Sequence, residues 1–509
     1  MKRKFVLILF MFIVGVNLFS ENVEKGKIRA NGKVFLYKLT PQKILITDRQ
    51  NNEVFRLINN NDFSSFLGVG YSKEYKSFFI INETLRKKGD YLIKIIFRRR
   101  KSISFCNNES IYSPILYEDD SDVYLLFINN SFEIDAYDLK AKKRIVLINF
   151  DSPILFLKLS EDKKYISFLK FEEGKYVKVR MNVRNLIKLK ILKSIQKLVR
   201  VERDDFKKNL EDIILDYYKF LGFGDSITYG YINTKPAPEL GYIPRLQYLV
   251  DSWYGGEVIN EGVPAEKTYE GVERFEQVIL EHKAKFLLFH EGTNDVIHYN
   301  IPVSATLYNI RYMINTALKY EIVPIITTLI PRNGWFGQGI FREKAIEVCE
   351  GIREIANELD IPLIDFWEIF SDYPESDGGY ESLMSDVVHP SEKGYQLMAE
   401  NWFKTLQNIP PGVPDVLSLE YSIDPISKIV GIKFLLCPEK DPDFRIYNVY
   451  VLNENKSEKK LYKSFDTNSV FIILPPGKKY LIGLTAVDNF GNESKLSKVF
   501  EYISYRLFF

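Results

Sequence analysis

The 509-residue chain has little of what staples or metallates a protein. Its three cysteines, Cys106, Cys349 and Cys437, lie far apart in sequence, which excludes a disulfide framework and a cysteine-rich zinc site. Four histidines occur, and no two have the close spacing expected of zinc ligands. No metal and no cofactor is therefore expected. Charge of one sign is missing too. The 69 Lys+Arg stand against 67 Asp+Glu, so the global balance does not point to nucleic acid. With 46% hydrophobic and 27% charged residues, the composition excludes a largely disordered, collagen-like or multi-span membrane chain.

What is present is length, enough for two to four domains at roughly 100–200 residues each. The N-terminus opens with Lys2-Arg3-Lys4 and a twelve-residue apolar run, Phe5 to Val16. That run is short for a membrane span, which needs about 20 residues, but suits an export signal. Residues 1–20 are expected to act as a signal peptide, with a retained anchor as the alternative. The address implied is a bacterial periplasm, a cell surface or the exterior.

Residues 21–183 read as short strands broken by polar turns, a β-rich domain. A polar turn followed by an aromatic-led strand recurs, with Phe78, Tyr124 and Tyr165 as anchors 46 and 41 residues apart. This is near the period of a propeller blade, so the segment is expected to be propeller-like or, alternatively, a β-sandwich. Residues 184–215 read as a helical connector with lysines opposite an apolar stripe at helical spacing. The run Arg98–Lys101 reads as a solvated turn.

Residues 216–408 change character. Strand candidates at 219–223, 257–260, 286–290, 323–328 and 362–366 alternate with helical stretches such as 304–319 and 341–359. That alternation predicts a parallel sheet covered on both faces, with chemistry at the C-terminal strand ends. The first strand runs into Gly224-Asp225-Ser226, placing a hydroxyl where a helix start leaves N–H groups unpaired. Such a serine is either a plain N-cap or a nucleophile beside an anion-stabilising site. Later strand ends carry Asn260-Glu-Gly262-Val-Pro-Ala265 and Gly292-Thr293-Asn294-Asp295, and Asp386-Val-Val-His389-Pro390 precedes a helix starting near Glu392. Asp386 and His389 share one loop, so the carboxylate can orient the imidazole toward Ser226, while Asn294 offers an amide donor. His282, in a charged helix end, is expected to face solvent. His290 reads as a packing or supporting residue. His298 is a candidate substrate contact.

Taken together, these blocks resemble the SGNH (GDSL-type) hydrolase family over about 190 residues, in order. The resemblance implies a flavodoxin-like α/β domain with Ser226 as nucleophile, His389 as general base and Asp386 as its partner. It implies an oxyanion hole built from the Ser226 N–H, a backbone N–H of Gly262 or Ala265, and the Asn294 side chain. The second block departs from the family, which has a second glycine where Ala265 stands. The N–H survives that change if the backbone there tolerates a Cβ.

Residues 409–509 follow a Pro410-Pro-Gly-Val-Pro414 linker and resemble a fibronectin type III β-sandwich, with Tyr480 as the corner tyrosine whose hydroxyl bonds backbone upstream. The chain is thus expected to be an exported serine esterase. Its substrate would be a carbohydrate or envelope-polysaccharide O-acyl ester, with the flanking β domains contacting polysaccharide and no nucleic-acid partner. A GDSL lipase or lysophospholipase is the enzymatic alternative, and a surface-binding scaffold with a vestigial hydrolase fold the non-enzymatic one.

Overall fold

The computed structural model describes residues 24–504 except 31–32, 41–42, 49, 51–52, 59–63, 73–76, 88–89, 98–101, 108–109, 120–121, 161–162, 184–185, 188–214, 254, 298–300, 333–339, 425–426, 428, 454–455 and 457. The N-terminal apolar run, Arg98–Lys101, most of the 184–215 connector and His298 lie outside the described residues.

The first fifteen strands form four successive antiparallel meanders. They are β1 (Glu24–Ala30), β2 (Lys33–Thr40), β3 (Lys43–Thr47) and β4 (Glu53–Ile58); β5 (Ser64–Ser72), β6 (Ser77–Lys87), β7 (Asp90–Phe97) and β8 (Ile103–Asn107); β9 (Ile111–Asp119), β10 (Asp122–Asn129), β11 (Glu133–Asp138) and β12 (Lys143–Asn149); and β13 (Ile154–Leu159), β14 (Tyr165–Glu172) and β15 (Lys175–Asn182). Each anchor of the sequence repeat, Phe78, Tyr124 and Tyr165, sits near the start of the second strand of its meander. The repeat is therefore the meander itself. First strands pack in series, β1 on β5, β5 on β9 and β9 on β13, an arrangement of consecutive blades rather than two facing sheets. Period-two burial drives it, as in β3, where Ile44 and Ile46 are buried between less buried neighbours.

The α/β part is built on a five-stranded parallel sheet of order β19-β16-β20-β21-β22. Its strands are β16 (Asp216–Gly224), β19 (Glu257–Gly262), β20 (Ala284–His290), β21 (Val323–Thr327) and β22 (Leu363–Ile364), with a small hairpin, β17 (Tyr231–Ile232) and β18 (Lys235–Pro236), after the first. Numbered within the sheet this is 2-1-3-4-5, the flavodoxin-like order whose switch point lies between the first and third strands. The last strand is shorter than the sequence suggests. Asp365 accepts the Glu368 N–H and caps the next helix, which ends the strand at Ile364.

Nine α-helices follow among the described residues: α1 (Ser226–Tyr229), α2 (Tyr242–Trp253), α3 (Thr268–His282), α4 (Thr293–Ile297), α5 (Val303–Lys319), α6 (Ile340–Leu359), α7 (Phe366–Ser371), α8 (Gly379–Ser382) and α9 (Glu392–Leu406). Side chains of α2, α7 and α9, such as Leu246, Phe366 and Trp402, form one core with Phe220 and Leu288 of the sheet. Those of α3, α5 and α6, such as Phe275, Met313 and Ile352, join the other face, and that core runs on into Phe127, Leu155, Phe171 and Tyr176 of the β-rich part.

The tail is a two-sheet β-sandwich with its own core, including Phe434, Tyr447, Leu484 and Tyr502. Three strands, β23 (Val416–Ile423), β24 (Val430–Leu436) and β27 (Ser469–Ile472), face four, β25 (Phe444–Leu452), β26 (Lys459–Phe465), β28 (Lys478–Asp488) and β29 (Phe500–Ser504). The Tyr480 hydroxyl donates to the Pro475 carbonyl at 2.8 Å, five residues upstream. Among the described residues no helix is long and apolar enough to cross a membrane.

Candidate active site

Three strand ends come level at the switch point: Gly224 pairs with Gly262 on one side and with His290 on the other. Space there is tight. A Cβ on Gly224 would lie 2.2 Å from the His290 carbonyl oxygen, and one on Gly262 2.1 Å from the Tyr229 nitrogen. Both glycines are needed for close backbone approach. Asp225 then caps α1, accepting the Ile227 N–H at 2.9 Å, and Ser226 occupies the first helical position.

The structure brings Ser226, His389 and Asp386 into one line. Ser226 Oγ lies 3.0 Å from His389 Nε2, and His389 Nδ1 lies 2.9 Å from Asp386 Oδ2. Asp386 is heavily bonded: the Val388 and His389 N–H groups donate to Oδ1 at 2.7 and 2.8 Å, and the Thr234 N–H donates to Oδ2 at 2.8 Å. Burial alone would raise its carboxyl, but the bonds from His389 and Val388 outweigh burial and hold it down to about 2. It is therefore ionised at neutral pH, ready to fix the imidazole tautomer.

Two contributors to this geometry were not read from the sequence. The β17–β18 hairpin turns through Asn233 and Thr234, both at positive φ (50° and 62°), and this turn presents the Thr234 N–H to Asp386. The pattern Tyr231-Ile-Asn-Thr-Lys-Pro236, a two-residue turn led by Asn, carried that signal. Tyr231 also lays its ring on His389, with centroids 5.3 Å apart, while the Tyr395 hydroxyl bonds both the Tyr231 N–H and its carbonyl.

The expected oxyanion donors differ in availability. The Gly262 N–H is already given to Asn260 Oδ1 at 3.0 Å. Ala265 sits in the left-handed region at φ 63°, the conformation a glycine would adopt without strain. Its N–H and that of Ser226, the first residue of a helix, have no protein acceptor among the described residues. Asn294 Nδ2 donates to the Glu266 carbonyl at 2.9 Å and to Asp225 Oδ2 at 3.2 Å.

Behind these donors lies a corner of buried carboxyls that sequence reasoning missed, because acidic side chains are ordinarily exposed. Glu266 is neutralised by Arg274 through two 2.7 Å contacts. Burial raises Asp225 to about 6 despite its bond from Ile227. Burial, reinforced by the negative charges of Asp225, Glu266 and Asp295, pushes Glu291 well above the carboxylate range. His290 is fully buried with Nδ1 2.6 Å from Thr327 Oγ1, and burial lowers it to about 4, so it is a neutral packing residue. His282 is not simply solvated: its Nε2 lies 2.8 Å from Glu261 Oε1 of β19. No cluster of His, Cys, Asp or Glu among the described residues has the form of a metal site.

Comparison with known proteins matches residues 223–397 to the GDSL-like Lipase/Acylhydrolase family. The isoamyl acetate-hydrolyzing esterase of Saccharomyces cerevisiae is 26% identical over 218 residues, spanning 39% of this chain and 89% of that protein. An uncharacterized lipoprotein of Bacillus subtilis, YqeF, is 27% identical over 202 residues, 33% of this chain and 82% of its own. Among solved structures, the lipase/acylhydrolase from Enterococcus faecalis is 26% identical, covering 37% of this chain and 95% of that one, with a TM-score of 0.34. The acetyl xylan esterase AlAXEase is 21% identical, covering 37% and 99%, with a TM-score of 0.33. The α/β segment is a GDSL/SGNH-type hydrolase domain, and the protein is an ester-hydrolysing enzyme.

Proposed function

We propose that this hydrolase domain works as a serine esterase through a Ser226–His389–Asp386 acyl-enzyme mechanism. The observation that carries the reading is the unbroken line from Ser226 Oγ through His389 to Asp386, at 3.0 and 2.9 Å. Ser226 Oγ attacks the ester carbonyl as its proton passes to His389 Nε2. The tetrahedral oxyanion takes the N–H groups of Ser226 and Ala265, and Asn294 turns one amide hydrogen to it from the longer of its two contacts, the one to Asp225. The acyl carbon–oxygen bond then breaks, and the alcohol leaves with the proton from His389. Water, deprotonated by the same imidazole, attacks the acyl-serine; the carboxylic acid departs and the serine is restored.

The substrate we infer is an O-acyl, chiefly O-acetyl, ester of a carbohydrate or envelope polysaccharide, met outside the cytoplasm. The basic-then-apolar N-terminus supports export. Two β-rich regions flanking the hydrolase, the second with a fibronectin type III-like corner tyrosine, suit docking on an extended polymer.

The test is an acyl-chain-length series of p-nitrophenyl esters beside acetylated polysaccharides, with wild type and Ser226→Ala. Wild type should favour acetyl esters and release acetate from the polymer. Ser226→Ala should lose turnover by several orders of magnitude. Full turnover by Ser226→Ala would refute the nucleophile, and a preference for long acyl chains would make the enzyme a lipase.

A further inference from the structure

A line of buried polar groups runs from the β-rich part of the molecule to the oxyanion donors. Its near end is Asp295, next to Asn294 on α4. Three donors converge on the Asp295 carboxylate: the Thr268 N–H at 2.8 Å, the Thr268 hydroxyl at 2.5 Å and the Thr306 hydroxyl at 2.9 Å. Thr268 opens α3, so these bonds tie the start of that helix to α4. The turn between β19 and α3 carries the Ala265 N–H and the Glu266 carbonyl that holds Asn294. Two of the three oxyanion donors therefore keep their spacing through Asp295 and Thr268.

The line continues outward. Asn309 Nδ2 on α5 donates to Thr268 Oγ1 at 3.0 Å, and Asn309 Oδ1 accepts from the Tyr176 hydroxyl at 3.0 Å. Tyr176 belongs to β15, the last strand of the fourth meander, outside the hydrolase fold. Asn309 and Thr268 are fully buried and Tyr176 nearly so. Groups buried this deeply lie away from bulk solvent, and a half-satisfied buried network is the costly case. Without the tyrosine hydroxyl, Asn309 Oδ1 has no donor, and the amide is free to swing away from Thr268.

We propose that Tyr176 is a positioning residue for ester hydrolysis: through Asn309, Thr268 and Asp295 it holds Asn294 and the Ala265 turn at the spacing that receives the oxyanion. The β-rich region is in this way a working part of the esterase as well as its neighbour. The proposal rests on the serine-esterase reading above, and on Asn294 and Ala265 as donors. Because the oxyanion exists only after attack, the effect falls on the chemical step and not on ground-state binding.

The test compares full-length wild type, Tyr176→Phe, Tyr269→Phe and Ser226→Ala on p-nitrophenyl acetate. Tyr176→Phe keeps the ring contacts with Phe171 and Tyr269 and removes only the hydroxyl. Tyr269 lies in the same aromatic joint, but its hydroxyl bonds Glu270, off the line. The expected result is a fall in kcat of about tenfold for Tyr176→Phe with KM within about twofold, and no change for Tyr269→Phe. Asn309→Asp, which keeps the acceptor for Tyr176 and loses the donor to Thr268, should lower kcat likewise; it stands in if Tyr176→Phe does not fold. Unchanged kcat, a loss confined to KM, or equal losses in both tyrosine variants would each overturn the proposal. Turnover by Ser226→Ala would instead overturn the serine-esterase reading, so the two failures are distinguishable.

Discussion

The two β regions that flank the hydrolase join it in opposite ways. The N-terminal one shares a continuous apolar core with α3, α5 and α6. Its joint is aromatic: Phe171 packs edge-on to Tyr308 and Tyr312 at 5.2 and 5.0 Å, and Phe156 to Tyr269 at 5.4 Å. The C-terminal sandwich keeps a separate core. It meets the hydrolase through Trp253 against the half-exposed Phe490, the Asn492 side chain on the Gln407 carbonyl, and an exposed Lys495–Asp360 pair. A joint that buries aromatic rings and a polar chain is specific and energetically coupled. One made of a rim aromatic and a solvated ion pair tethers with little coupling.

The comparison breaks or sharpens in graded ways. The largest effect should come from Phe171→Ala, which empties a buried ring site touching three tyrosines. It should cost about 3–5 kcal/mol by denaturant unfolding, whereas Phe490→Ala at the other joint should cost less than about 1 kcal/mol. Equal costs would erase the distinction.

Next comes pH. Glu83, buried in the β-rich part, accepts from Ser110 Oγ at 2.6 Å and the Ile111 N–H at 2.9 Å, with Lys344 of α6 nearby. Burial outweighs those bonds and the lysine's charge and raises its carboxyl from 4.5 to about 7. The folded protein thus holds a proton there that the unfolded chain has lost. That contribution to stability is fully present below about pH 4.5 and fades as pH rises through 7, by up to about 3 kcal/mol. Burial lowers Lys344 to about 8, which acts in a separate window, above pH 8. The thermal midpoint should therefore decline between pH 4.5 and 7 in wild type and decline less steeply in Glu83→Gln, where the raised carboxyls of Asp225 and Glu291 still contribute; an unaltered slope would place the titration elsewhere.

The smallest effect is expected from removing every residue after Pro410. Short-ester kcat/KM should stay within about twofold, less than about 0.5 kcal/mol of barrier. A collapse of activity would mean that the sandwich shapes the site.

What was legible in the sequence follows the same division. Ser226 and Asn294 lie just past strand ends, and Asp386 and His389 share the loop before α9; each sits in a short linear block, so local sequence could point to them. The anchors Phe78, Tyr124 and Tyr165 exposed the meander repeat because each blade repeats the same local turn and strand. The choice between Gly262 and Ala265 was not legible: it depends on the bond from the Gly262 N–H to Asn260, a side-chain choice made in three dimensions. Nor was the Tyr176–Asn309–Thr268 line, whose members are 133 and 41 residues apart. In the sequence Tyr176 is one more strand aromatic. The buried carboxyls Glu266 and Glu291 carry no local sequence signal of burial: Arg274 pairs the first, and packing keeps the proton on the second.

The central claim, that Ser226 is the nucleophile served by His389, is tested most directly by covalent labelling. The intact protein would be treated with a p-nitrophenyl organophosphate and the modified peptide located by mass spectrometry. One equivalent of p-nitrophenol should be released and a single phosphoryl adduct found on the peptide containing Ser226, with neither seen in Ser226→Ala or after the site is filled by substrate. Labelling at another residue, or undiminished labelling in Ser226→Ala, would contradict it.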